Sequence, residues 1–113
     1  LTDENQIAYL WLKKSDYSKT GATREDTEGL IDHIRAIEPV VVACLFEEVE
    51  PGETRISLRS KHPDVNVNEI AKLFGGGGHK AASGARMEGS QLSVQRKVIS
   101  AIRKALKTLS PEE

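Results

Sequence analysis

Four consecutive glycines followed by a histidine and a lysine form the part of this sequence best suited to chemistry. The run Gly75–Gly78 precedes His79 and Lys80. One helix-ending cap needs a single glycine, and each further glycine costs roughly 1 kcal/mol of backbone freedom relative to alanine. Side chains are therefore excluded here, either by a neighbouring backbone or by a ligand whose phosphate or base approaches main-chain N–H groups. The adjacent histidine and lysine favour the ligand, so we predict an anion-contacting loop over residues 75–80.

Two common phosphate-binding motifs do not fit this run. A nucleoside-triphosphate loop ends on Lys-Ser or Lys-Thr, which is absent after Gly78, and a dinucleotide fingerprint follows a strand. Here an amphipathic helical pattern over residues 67–74 comes first. We expect valine at Gly76 or Gly77 to abolish ligand binding while leaving most of the fold, because a β-branched side chain blocks close approach and positive φ.

A second concentration of cations lies upstream, in a segment with strand-like alternation. Between Thr54 and Lys61, apolar Ile56 and Leu58 alternate with Arg55, Ser57 and Arg59. Side chains of a strand point alternately to its two faces, so this pattern places the cations of the segment on one face.

The charge distribution agrees with an anion-binding second half. Residues 1–54 hold five Lys/Arg and twelve Asp/Glu, whereas residues 55–113 hold eleven and five, for a net charge of −1. The basic half is the candidate for contacting an anion. The alternative is that much of the excess is a solvated face of the last helix.

Periodicity predicts the element order β-α-β-β-α-β-α. This is an α+β (α/β-like) architecture: a mixed sheet of about four to five strands with helices packed on it. The turn at Pro51-Gly52 makes at least one strand pair antiparallel. The predicted strands are 6–13, 40–49, 54–61 and 83–88, and the predicted helices begin at Thr23, Asn66 and Ser90 and end near residues 37, 74 and 109.

Length and composition bound the class of protein. A chain of 113 residues that is 38% hydrophobic fits one domain, residues 1–113. No apolar run approaches the roughly 18 residues of a membrane span, and no secretory signal begins the chain, so we expect a cytoplasmic protein without a membrane partner. The single cysteine, Cys44, lies in an apolar run and is expected to be a buried, reduced thiol. The three histidines are scattered, which does not indicate a metal site.

The string from Phe74 to Gly84, with Arg59-Ser60-Lys61 and Asp26-Thr27-Glu28-Gly29-Leu30 upstream, resembles the DHH-associated C-terminal domain of DHH-family phosphoesterases. The resemblance covers about residues 7–109 and points most to the bacterial nanoRNase and adenosine-bisphosphate (pAp) phosphatase branch. It implies that this domain grips a nucleotide. A separate N-terminal DHH domain would supply two manganese ions and the attacking hydroxide.

The resemblance also implies roles for individual residues. Arg59 would hold a substrate phosphate, and His79 would contact the phosphate or base of the nucleotide. The chain has no Asp-His-His triplet. Asp32-His33 matches only two of its three residues and lies on a predicted helix. We therefore expect no catalytic or metal-ligating residue in this chain. The residues predicted to contact substrate are Arg59, Ser60, Lys61, Gly75, Gly76, Gly77, Gly78, His79 and Lys80.

The implied function is therefore that of a substrate-binding domain, the C-terminal part of a larger manganese-dependent phosphoesterase or 3′-5′ oligoribonuclease, inactive by itself. Its implied partners are a short oligonucleotide or nucleotide, the N-terminal DHH domain and a second copy of the chain. The alternative is an RNA-binding module without catalysis, like the C-terminal domain of alanyl-tRNA synthetase. There an Arg-Pro pair typically follows the glycines, where this chain has His79-Lys80. A third reading is a regulatory or dimerisation domain with no nucleotide ligand.

Overall fold

The computed structural model describes residues 6–12, 24–37 and 40–107. Within them, five strands and three helices alternate in the order β-α-β-β-α-β-β-α. The elements are β1 (Ile7–Leu12), α1 (Arg24–Arg35), β2 (Val42–Glu50), β3 (Glu53–Ser60), α2 (Val67–Lys72), β4 (Gly77–His79), β5 (Ala82–Glu88) and α3 (Gln91–Lys107).

All five strands form one sheet in the order β1-β2-β3-β5-β4. β1 pairs with β2 in parallel, and the remaining pairs are antiparallel. The predicted hairpin between β2 and β3 is confirmed, with Gly52 at φ +80° in its turn. The predicted α+β class with a mixed sheet is therefore confirmed.

One strand is absent from the predicted order. We predicted a loop across residues 75–80, but Gly77–His79 pairs with β5 as the edge strand β4. Glycine has low strand propensity and no side chain with which to show alternation, so the sequence carries no local strand signal here. The pairing arises because the chain turns back at Lys80 and lays the glycines against β5.

The main core lies between the sheet and the helices α2 and α3. From β3, Ile56 and Leu58 point into it, and Val98 and Ile102 of α3 meet them from the other side. Both helices begin with side-chain caps at the residues where the sequence predicts the helices to start. Asn66 accepts hydrogen bonds from the backbone N–H groups of residues 68 and 69, and the Ser90 hydroxyl accepts one from Ser93.

The opposite face of the sheet is covered by α1. Ile31 of α1 is fully buried in a second cluster with Ala43 and Leu45 of β2. The main sheet contacts of α1 are with β1, β2 and β3, which leaves the β5 and β4 end of this face more open. Because one helix covers this face and two helices cover the other, part of this face stays exposed.

Three predicted features fall on residues outside the described ranges: the helix start at Thr23, the strand end at Lys13 and the helix end at Leu109. Cys44 is buried, as predicted, and burial raises the pKa of its thiol well above its ordinary value. Within the described part of the chain, no helix combines the length and apolar character needed to cross a membrane.

Candidate ligand-binding groove

The open part of the α1 face forms a groove with a volume of about 530 Å³. It runs across β3, β5 and β4, where the outward-facing residues that line it are arginine, serine, alanine or glycine. Such residues cannot build a hydrophobic layer, so this part of the sheet does not recruit a second helix. Its lining includes Arg55, Ser57, Arg59, Gly77, Gly84 and Arg86.

Strand register places Arg59 and His79 on the same face of the sheet. Arg59 of β3 lies opposite Ala82 of β5, and Ala82 lies opposite His79 of β4. Residues directly opposite in an antiparallel pair point to one face, and two strand spacings separate the outer pair by about 10 Å. Arg59 and His79 therefore share one surface of the sheet. Contact of either residue with a ligand stays a prediction.

Arg59 is held at the rim between the groove and α1. Its side chain is only 15% exposed, and its Nη1 donates a hydrogen bond to the Leu58 carbonyl oxygen at 3.0 Å. Its Nε lies 3.9 Å from Oδ1 of Asp32 on α1. A guanidinium held in this way presents a cation with little freedom to lose on binding an anion.

Two further arginines line the groove and are absent from the predicted contact set. Arg55 donates to both carboxylate oxygens of the buried Glu47, at 3.3 and 3.1 Å, and Arg86 donates to Glu53 at 3.1 Å. The alternation of β3 already placed Arg55 on the Arg59 face. Arg86 gave no such signal, because its position opposite Arg55 follows from the pairing of β3 with β5.

Packing within the domain accounts for three of the four glycines. Gly75 has φ +82°, a conformation that L side chains rarely adopt. A Cβ at Gly76 would lie 2.0 Å from the Gly84 carbonyl oxygen, and one at Gly78 would lie 2.7 Å from the Ala82 carbonyl oxygen. The expectation that valine at Gly76 would leave most of the fold intact is therefore wrong, because the backbone of β5 occupies that space.

The backbone N–H groups of the same three glycines already have acceptors in the domain. Gly75 donates to the Lys72 carbonyl oxygen, Gly76 to that of Ala71 at 2.9 Å, and Gly78 to Oδ1 of Asn68 at 2.9 Å. These three groups therefore do not form the anion cradle that the glycine run suggested. Donors for an anion must come mainly from side chains around the groove.

Gly77 differs from the other three glycines. A Cβ at this position would meet only Oδ1 of Asn68, at 3.4 Å, although Gly77 lines the groove as Gly75 and Gly78 do. It lies opposite Gly84, which in turn lies opposite Ser57. The absence of a side chain at Gly77 is thus not demanded by close backbone packing, and it keeps the groove open.

Five residues of the predicted contact set are not among those that line the groove: Ser60, Lys61, Gly76, His79 and Lys80. Ser60 points to the opposite face from Arg59, and its hydroxyl donates to the His62 carbonyl oxygen and accepts from the His62 N–H. Lys61 donates from Nζ to the Ile37 carbonyl oxygen at 3.2 Å. Lys80 is exposed in the turn between β4 and β5.

Asp32 and His33 are both exposed on α1, as expected for the polar face of a helix. Among residues 6–12, 24–37 and 40–107, no three His, Cys, Asp or Glu side chains lie close enough together to hold a metal ion.

Fold and groove together define a class: an α+β domain that presents a constrained arginine on the same sheet face as a glycine-bearing edge strand. The chain belongs to the DHHA1 domain family, whose model matches residues 4–109. A Streptococcus mutans relative, the probable bifunctional oligoribonuclease and PAP phosphatase NrnA, is 36% identical over 83 residues. That match covers 74% of this chain and 26% of the relative, so the chain spans about a quarter of that protein.

Solved structures share the fold. An exopolyphosphatase-related protein from Bacteroides fragilis matches with a TM-score of 0.77 and 26% identity, over 92% of this chain and 31% of that one. The C-Ala domain of Aquifex aeolicus alanyl-tRNA synthetase matches with a TM-score of 0.63 and 15% identity, over 88% of this chain and 89% of that domain. At that identity the second likeness shows the fold alone.

Proposed function

We propose that this chain is the substrate-binding domain of a DHH-family phosphoesterase that hydrolyses phosphoester bonds in short RNA or pAp. The observation that carries the proposal is the position of Arg59 in a groove whose far wall is the glycine strand. Membership of the DHHA1 family supports it, and so does the NrnA relative, whose name describes an oligoribonuclease and PAP phosphatase.

Charge along the groove favours the Arg59 end for a substrate phosphate. At the other end Glu53 lies directly opposite Glu88, while Arg55 and Arg86 already bind carboxylates. Two carboxylates that face each other repel an additional anion. The phosphate would therefore bind near Arg59 and His79, and the nucleoside would lie over Gly77.

The hydrolytic chemistry belongs, in this proposal, to a separate N-terminal DHH domain. Manganese ions bound there would supply the attacking hydroxide. The described residues of this chain offer no clustered ligand set for such ions, and what they would contribute is the binding and orientation of substrate. A cytoplasmic location and a second copy of the chain as partner belong to the proposal as well.

Calorimetric titration with pAp and with a 5′-phosphorylated dinucleotide tests the binding role. Removal of a charge-assisted hydrogen bond costs about 1.5 kcal/mol, so Arg59→Ala should lower the affinity for both ligands at least about tenfold. The matched control is Lys72→Ala, because Lys72 is an exposed cation on α2 with its Nζ 3.7 Å from Glu69. Equal losses in the two variants, or no binding by the parent chain, would contradict the proposal.

A second measurement tests the division of labour. The purified chain should not hydrolyse either ligand in the presence of manganese, and hydrolysis should appear when the chain is joined to a DHH domain. Manganese-dependent turnover by the isolated 113-residue chain, free of contaminating nuclease, would overturn this part of the proposal.

A further inference from the structure

The C-terminal helix α3 carries an unusual charge distribution. Its 17 residues, QLSVQRKVISAIRKALK, include several cations and no carboxylate. All of the cations are exposed, and we call the surface that they form the α3 basic face: Arg96, Lys97, Arg103, Lys104 and Lys107.

Helix stability does not account for this face. Lys104 and Lys107 lie in the last turn, where cations interact favourably with the helix dipole, but Arg96 and Lys97 lie in the middle of the helix. A solvated helix face usually mixes both signs, and like charges four residues apart, such as Arg103 and Lys107, destabilise a helix. The accumulation of one sign therefore indicates an anionic partner.

A small cavity adjoins the face where α3 packs near β1. Its volume is about 170 Å³, and Arg96 and Arg103 line it together with Tyr9 and Gln95. Gln95 is fixed at both ends: its Nε2 donates to the Tyr9 hydroxyl at 3.0 Å, and its Oε1 accepts from the Trp11 indole at 2.7 Å. The Tyr9 oxygen thus acts as an acceptor, and its own O–H remains able to donate to an anion.

The α3 basic face and the groove lie on opposite sides of the sheet. α3 packs through Val98 and Ile102 on the core face, whereas Arg59 and Gly77 point to the α1 face. A nucleotide or dinucleotide in the groove therefore lies across the sheet from α3. The groove and the α3 basic face therefore bind either different ligands or distant parts of one long ligand.

We propose that the α3 basic face binds the phosphate backbone of a single-stranded RNA longer than the groove can hold. Arg96 and Arg103 are seven residues apart, about 10.5 Å along the helix axis, so the cations form a row that can follow a chain of phosphates. The proposal stands on α3 and its cavity and does not require the groove to bind nucleotides.

An anionic membrane fits the same surface less well. A helix that lies in a membrane interface inserts its apolar face among the lipids. The apolar face of α3 is already buried in the core, with Val94, Val98 and Ile102 at most 1% exposed. The face therefore presents charge without the apolar anchor that lipid binding needs.

Fluorescence anisotropy with a labelled oligouridine of about twenty nucleotides tests the proposal. Binding weakens as salt rises, and each lost phosphate contact reduces the magnitude of this negative slope of log K against log salt by about 0.7 for single strands. Arg96→Gln with Lys97→Gln should therefore make the slope less negative by about 1.4. The affinity should fall at least about fivefold at low salt. Single variants Lys97→Gln and Lys72→Gln remove one exposed cation each, and only the first should weaken binding.

A competition measurement separates the two surfaces: a saturating 5′-phosphorylated dinucleotide should leave the long strand bound. The inference would be overturned if the long strand did not bind at low salt or if the dinucleotide displaced it completely. Equal losses of RNA affinity in Lys97→Gln and Lys72→Gln would also overturn it. So would a double variant of Arg96 and Lys97 that loses binding to phosphatidylserine vesicles while its RNA binding is unchanged. Circular dichroism melting of each variant checks that the fold is retained.

Discussion

Asp32 on α1 places its Oδ1 atom 3.9 Å from Nε of Arg59 on β3, at the rim of the groove. The Asp32 side chain is half exposed and also lies 3.5 Å from Arg35, so solvent and a second cation weaken its hold on Arg59. An arriving phosphate would compete with this carboxylate for the same guanidinium. α1 therefore does more than cover the sheet, because it also sets the electrostatic environment of the cation.

Asp32→Asn should strengthen the binding of pAp or a phosphorylated dinucleotide by about threefold, since an exposed ion pair contributes on the order of 0–1 kcal/mol. Titration calorimetry at low salt measures the change, and added salt should reduce it because salt screens exposed charges. Weaker binding in this variant would show that Asp32 positions Arg59 and does not compete for it.

Alanine at two adjacent glycines should have different consequences. Gly76→Ala forces a Cβ into the backbone of β5, so we expect a loss of stability of about 1–3 kcal/mol, visible in the thermal melting temperature. Gly77→Ala meets only one side-chain oxygen and should change stability little while weakening ligand binding. Normal ligand affinity in Gly77→Ala would show that the ligand does not approach this part of β4.

Asn68 connects α2 to the glycine strand, because its Oδ1 accepts the hydrogen bond of the Gly78 N–H. Asn68→Ala should cost about 1 kcal/mol of stability and speed hydrogen exchange at Gly78, measured by NMR. Asn68→Asp keeps an acceptor at this position and serves as the control. Unchanged exchange at Gly78 in the alanine variant would contradict this role.

Cys44 should not react with thiol reagents in the folded protein. Its burial raises the pKa of the thiol, so the reactive thiolate is absent at neutral pH. The pKa of the Cys44 thiol in the folded protein lies above its ordinary value of 9.0. The contribution of this thiol to the free energy of unfolding is therefore fully present below pH 9.0 and is lost as the pH rises above 9.0. Rapid modification by a chromogenic disulfide reagent without denaturant would contradict the prediction.

Much of the fold could be predicted because its signals are local. Asn66 caps α2 through its own side chain, and alternation along β3 separates Ile56 and Leu58 from Arg59, which the structure confirms. The turn at Pro51-Gly52 likewise needs only its own two residues. Each of these features depends on neighbours within a few positions of the chain.

The roles of the four glycines could not be separated in this way. They are identical in sequence, yet Gly76 and Gly78 are fixed by the backbone of β5, Gly75 by its positive φ, and Gly77 by none of these. The reason is that the relevant neighbours, such as Gly84, arrive through strand pairing. The same holds for Arg86, which reaches the groove only because β5 pairs with β3.

The sequence by itself determined the family, every described element except β4, and the presence of cations beside a glycine run, since these follow from residue identity, spacing and periodicity. Only the tertiary structure decided that Arg59 faces the groove beside Asp32, that Ser60 and Lys61 make other contacts, and that the glycines form an edge strand. These outcomes depend on which strands pair and which sheet face α1 covers. That choice is made by burial of apolar surface across the whole domain, which no short stretch of sequence encodes.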